Sequence, residues 1–164
     1  VNHATPLLPA DADAATTYAH LLTALEGLVA GERDAIANLA NAAALLYETL
    51  PRLNWAGFYL MKGDELVVGP FQGRPACVRI ALGRGVCGTA AAERRTVIVK
   101  NVHAFPGHIA CDAASESEIV VPLVRDGRLI GVLDLDSPLR GRFGEDDGRG
   151  LEAFAARLLA ASDL

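Results

Sequence analysis

Long apolar runs are missing from this chain of 164 residues. Nothing approaches the ~18 consecutive apolar residues that a membrane-spanning helix requires, which points to a soluble protein. The start lacks the basic segment and apolar stretch of a secretory signal and carries Pro6, Pro9 and two aspartates instead, so residues 1–14 read as a flexible leader and the protein is expected in the cytoplasm. Clusters of Lys and Arg are also missing. With 15 basic residues against 20 acidic ones and a formal charge of −5, the chain offers no face on which nucleic acid phosphates would be held. Cysteine is scarce and odd in number: Cys77, Cys87 and Cys111 argue against a full set of structural disulfides in a reducing compartment. No Cys-x-x-Cys occurs, so a zinc site built from His108 and the three cysteines would need ligands from separate elements, and no metal is expected. The glycine-rich Gly83-Arg84-Gly85-Val86-Cys87-Gly88 lacks the Lys-Ser/Thr of a phosphate loop and the strand–helix–strand context of a dinucleotide fingerprint; it reads as a turn that starts a helix.

What is present fits one globular domain, with 51% apolar and 21% charged residues, no internal repeat and no low-complexity linker, so residues 15–164 are assigned to it. Leu21, Leu22, Leu25, Leu28 and Val29 recur at helical spacing until Gly31. A second helical stripe runs through Ile36, Leu39, Ala40, Ala43, Leu46, Tyr47 and Leu50 and stops at Pro51. The texture then changes to short β-rich runs punctuated by glycine, at 54–61, 66–68, 77–80, 96–99, 118–124 and 129–137, with a short helix through Ala92. Asp126-Gly127 supplies the positive φ angles of a tight hairpin between the last two strands. An amphipathic helix with an acidic first turn closes the chain from Glu145. The pattern is α+β, with terminal helices packed on one face of a central antiparallel sheet of about six strands and a pocket on the other. Between 101 and 117 lies an aperiodic segment of a length that is usually functional or mobile.

Several residues in this frame carry chemistry. Asp134 and Asp136 are two apart on a strand and share a face, flanked by Val132, Leu133 and Leu135. Like charges held close raise one another's pKa, so such a pair can donate a proton or hold a cation; a solvated outer face is the bland alternative. Trp55 and Tyr59 lie four apart on one strand face, where two rings wall a small pocket or simply fill a core. Each cysteine is either a buried small hydrophobe or a reactive thiol, and Cys111, in the polar 101–117 segment, fits burial least. His103 and His108 are loop hydrogen-bonders without an assigned proton-transfer role.

Together, Asn54-Trp55-Ala56-Gly57-Phe58-Tyr59, Gly69-Pro70-Phe71-Gln72-Gly73, Gly83-Arg84-Gly85-Val86-Cys87-Gly88-Thr89-Ala90 and His108-Ile109-Ala110-Cys111-Asp112 resemble the GAF-domain free methionine-R-sulfoxide reductases. Ser117-Glu118-Ile119-Val120, Gly131-Val132-Leu133-Asp134-Leu135-Asp136-Ser137 and Arg142-Phe143 extend the resemblance from about Gly31 almost to the end. The resemblance implies a GAF fold and reduction of free methionine-R-sulfoxide, with Cys111 as the attacking sulfur, Cys77 as the resolving thiol and Cys87 as an auxiliary thiol. It further implies that Glu118, Asp134 and Asp136 bind the substrate or donate a proton, that Trp55 and Tyr59 contact the sulfoxide and its methyl group, and that the tyrosine hydroxyl is free to bond. Thioredoxin or a similar dithiol would be the reductant, no cofactor would be needed, and the protein would be a homodimer. Folds of this type also host small-ligand-binding modules and thiol redox sensors that do not turn over, and these are the alternatives.

Overall fold

The computed structural model describes residues 8–9, 11–109 and 111–164, so residues 1–7 and 10 of the expected leader lie outside it. Helix α1 (Ala14–Leu28) starts where the Asp13 carboxylate accepts the Thr16 N–H at 2.8 Å, and α2 (Ala35–Thr49) starts the same way on Asp34 and Ala37. Six strands follow: β1 (Trp55–Lys62), β2 (Glu65–Gly73), β3 (Arg79–Ala81), β4 (Val97–Val99), β5 (Ser117–Arg125) and β6 (Arg128–Ser137). They form one sheet in the order β3-β2-β1-β6-β5-β4, with every neighbouring pair antiparallel. Helix α3 (Gly85–Glu93) lies between β3 and β4, and α4 (Glu145–Ala161) ends the chain with three acids in its first turn. No helix among the described residues is long and apolar enough to cross a membrane.

Strand alternation sorts the side chains into two cores. Ala56, Phe58, Ile119, Leu133 and Leu135 point to one face, where α1, α2 and α4 cover them with Leu21, Leu25, Leu39, Leu46 and Phe154. Each of the fully buried Leu, Ile and Phe side chains among them stabilises the fold by roughly 1.5–3 kcal/mol. The intervening residues Trp55, Tyr59, Val120 and Val132 point to the other face, which only the short α3 and the loops cover, with Val86, Cys87 and Ala90. The α+β architecture of six antiparallel strands with terminal helices on one face is therefore observed.

Three local expectations are corrected. The α2 stripe is rotated: Ile36 is 71% and Tyr47 38% exposed, while Asn38 and Ala42 turn inward. In so alanine-rich a helix apolarity barely distinguishes the faces, and the buried hydrogen bonds from Asn38 to Glu32 O and Ser162 Oγ, both 3.1 Å, orient it. Strand β2 runs well beyond 66–68, because Gly69-Pro70 form a bulge between the Gly57–Phe71 and Tyr59–Val68 pairs rather than ending the strand. Finally, Cys77 lies in the loop before β3, not on a strand.

Gly57 shapes the pocket face of β1. A Cβ there would lie 2.3 Å from Phe71 Cβ and 2.8 Å from the Trp55 ring, which stacks on Phe71 at a centroid distance of 5.1 Å. Gly57→Ala is expected to cost about 1–3 kcal/mol by overpacking, read by denaturant unfolding, and to shift the fluorescence of Trp55, the one tryptophan. Unchanged stability would mean that the rings yield freely.

Candidate active site

Sheet register assembles the acids. Trp55 on β1 pairs with Asp136 on β6, which pairs with Glu118 on β5; one level along, Gly57 pairs with Asp134, and Asp134 with Val120. Neighbours in such rows are about 4.5–5.5 Å apart, so three carboxyls from two strands gather on the face under α3. They are not a solvated outer face, since Glu118 is 6% and Asp134 5% exposed. Together with Trp55, Tyr59 and Cys87 they line one cavity of about 40 Å³.

Burial dominates the proton affinities. It lifts the Asp134 carboxyl to about 7, with Cys87 and Glu118 beside it pulling the other way. Burial and the charges of the other acids push Glu118 and Asp136 well above the carboxylate range. The three titrate as a coupled set that retains protons at neutral pH. Asp134 Oδ1 is buried without a hydrogen-bond partner, an acceptor turned into the cavity with nothing to accept from. The thiol of Cys87, 4% exposed, approaches Glu118 Oε1 at 3.9 Å.

The mouth is built from two loops. Cys77 and Cys111, 34 residues apart, are joined by a disulfide with their Cα atoms 5.4 Å apart, which ties the segment before β3 to the 101–117 segment. That long segment is ordered by contacts that periodicity does not reveal: Val102 N–H bonds to Glu116 O, Glu116 N–H to Ser137 O, and Asn54 Nδ2 donates to Asp112 Oδ2 at 3.1 Å and Ser115 Oγ at 3.0 Å. Trp55 Nε1 donates to Arg74 O. The Tyr59 hydroxyl is not free, because it donates to the Cys77 carbonyl at 3.1 Å and so holds the cysteine loop. His108 lines the cavity with Nδ1 buried and unpartnered, and burial lowers its pKa.

The eight residues given site roles from the sequence therefore meet at one place, whereas His103 lies outside it, with Nε2 3.2 Å from Glu116 Oε1. Asn54, Arg74, Asp112 and Ser115 were not singled out; of these, Asn54 and Asp112 stood inside the quoted motifs, whereas Arg74 and Ser115 carried no periodic or compositional signal. The disulfide removes Cys77 and Cys111 from the four-ligand zinc set with His108. Cys87, Glu118 and Asp134 bring their polar atoms within 4.8 Å of one another, and burial beside the acids raises the Cys87 thiol well above its ordinary value.

Comparison with known proteins identifies the family. Residues 37–161 match the family described as GAF domain. A free methionine-R-sulfoxide reductase of Escherichia coli (strain K12) is 56% identical over 149 residues, spanning 89% of this chain and 90% of its own. One of Saccharomyces cerevisiae is 45% identical over 143 residues, spanning 82% and 79%. The X-ray structure of free methionine-R-sulfoxide reductase from Neisseria meningitidis in complex with its substrate superposes with a TM-score of 0.90 at 49% identity, covering 96% of this chain and 95% of that one. By sequence and by fold, the chain belongs to the GAF-domain free methionine-R-sulfoxide reductase family.

Proposed function

We propose that this protein reduces free methionine-R-sulfoxide to methionine, as a single GAF domain over residues 15–164, in the cytoplasm, as a homodimer, with thioredoxin or a similar dithiol as the reductant. The observation that carries the reading is a disulfide between Cys77 and Cys111 at the mouth of a cavity lined by the buried carboxyls of Glu118 and Asp134 and the half-buried one of Asp136. A sulfoxide needs a sulfur nucleophile and a proton for its oxygen, and this site supplies both.

In the proposed sequence the Cys111 thiolate attacks the sulfoxide sulfur while the carboxyl cluster protonates the oxygen. Transfer of that oxygen to Cys111 releases methionine and leaves a sulfenic acid. The Cys77 thiol condenses with it, expelling water and forming the disulfide. The dithiol reductant then returns both cysteines to thiols and is itself oxidised to a disulfide. The remaining negative charge among Glu118, Asp134 and Asp136 holds the substrate ammonium, and Trp55 packs against the methyl group. Tyr59, bonded to Cys77 O, positions the resolving loop in the oxidised form.

The test is turnover coupled to dithiol consumption, with the separate R and S epimers of the free amino acid and with an internal R-sulfoxide in a blocked peptide. A peptide loses the ammonium and leaves a buried carboxylate unpaired at a cost of several kcal/mol, so its kcat/KM is expected to fall by at least ~10²-fold relative to the free R epimer. The S epimer is expected to be inert. Equal constants for free and blocked substrates would overturn the substrate assignment, and no turnover of any of them, with the disulfide still reversible, would leave thiol redox sensing.

A further inference from the structure

The sulfoxide chemistry uses two of the three cysteines, and the third is buried beside the acids. Cys87 sits in the first turn of α3, 4% exposed, with Sγ 3.9 Å from Glu118 Oε1. Its depth is set by close packing. A Cβ on Gly88 would lie 2.4 Å from Ala81 O, so the helix rests directly on the end of β3. Glu118 from β5, Asp134 and Asp136 from β6 and Tyr59 from β1 face the thiol. Arg84, at the start of its own helix, and Arg74, His108 and Asp112 from the loops line the same cavity, with both arginines exposed. A helix N-terminus favours a thiolate, but burial among the carboxyls opposes it more strongly, and the sulfur keeps its proton. A protonated thiol is neither a nucleophile nor a resolving sulfur; it is a hydrogen-bond donor.

We propose that Cys87 is a positioning residue for the sulfoxide chemistry: its S–H donates to Glu118 and aims that carboxyl, with its proton, into the cavity, while the sulfur takes no part in the thiol–disulfide cycle. The proposal rests on the reductase reading above. The thiol bond favours the ionised form of Glu118 and so makes its proton easier to give up. Without the donor the carboxyl turns more freely and holds its proton more tightly.

Two measurements test this. In Cys87→Ala, kcat for the free R epimer is expected to fall about tenfold, the loss of one hydrogen bond to an ionisable group, and the alkaline limb of its pH profile to move up, with little change in KM. Cys87→Ser, which keeps a donor, is expected to recover most of the rate and the limb position. The second measurement needs no variant. In the disulfide-bonded protein Cys87 is the one remaining thiol, so the infrared S–H stretch reports it alone. A band displaced to the hydrogen-bonded range, and still present above pH 8, is expected. Wild-type kcat and pH limb in Cys87→Ala would reduce Cys87 to core filling. A stall after one turnover in that variant, or Cys87 in a disulfide after catalysis, would make it a redox participant. An S–H band at the free-thiol position would remove the hydrogen bond. Any of these overturns the proposal, whereas failure of the reductase reading shows separately, as wild-type protein without turnover.

Discussion

Cys111→Ser is expected to form no measurable methionine, a loss of at least ~10³-fold, while keeping the fold of the reduced protein. The proposed attack needs a soft, anionic sulfur, and a serine hydroxyl at neutral pH is almost wholly un-ionised and cannot become the sulfenic acid with which Cys77 is proposed to condense. The replacement is small, and the segment around Cys111 is held by Val102, Asn54 and Ser115 rather than by the cysteine alone. The reference for stability is reduced wild-type protein, because the oxidised form carries the Cys77–Cys111 crosslink, which is worth about 2–4 kcal/mol against unfolding. Methionine released in a single turnover by well-folded Cys111→Ser would move the nucleophile elsewhere, and with Cys87 buried and protonated the candidate would be Cys77.

How much of this site could be read from residues alone differs by element. The shared face of Asp134 and Asp136 followed from strand periodicity, and β6 shows it. Their meeting with Glu118 and Trp55 depends on register across three strands, which periodicity does not encode; the family motifs supplied it. The β5–β6 hairpin was legible because Asp126 and Gly127, at φ +50 and +73, need the turn residues that are there. The face of α2 was not, since its rotation hangs on Asn38 meeting Ser162 from the far end of the chain. The length of β2 was hidden because Gly69-Pro70 signal a turn and are used as a bulge. Likewise the order of the 101–117 segment comes from hydrogen bonds to Asn54 and Ser137, residues that no local window contains.

Asp134→Asn is expected to make the oxidised protein more stable than wild type at pH 8, and inactive. Asp134 has an ordinary value of 3.8 and stands at about 7 in the fold, raised by burial. Below pH 3.8 it is protonated in both folded and unfolded chains and makes no difference. As pH rises from there the unfolded chain loses this proton first, the folded state binds more protons, and stability falls until the folded group has also ionised, near pH 7. The interval between 3.8 and about 7, at about 1.4 kcal/mol per pH unit, corresponds to roughly 4 kcal/mol of stability lost by pH 8. Glu118 and Asp136 are raised as well and act in the same direction, so the measured slope belongs to the coupled set. Asparagine has nearly the same shape and no charge to bury, so it removes the Asp134 share of this cost while also removing a proton site and the proposed partner for the substrate ammonium. Asp13, Asp112, Glu116 and Asp163, whose values are lowered in the fold, impose an opposite slope at acid pH, but it is common to both proteins and cancels in their difference. Denaturant unfolding of the two proteins between pH 4 and pH 8 measures that difference: it should be near zero at the acid end and grow to several kcal/mol at the alkaline end. Equal stability at pH 8 would mean that the buried row is open to water and that Asp134 ionises at no cost, leaving the acids without the elevated proton affinity on which donation to a sulfoxide oxygen depends.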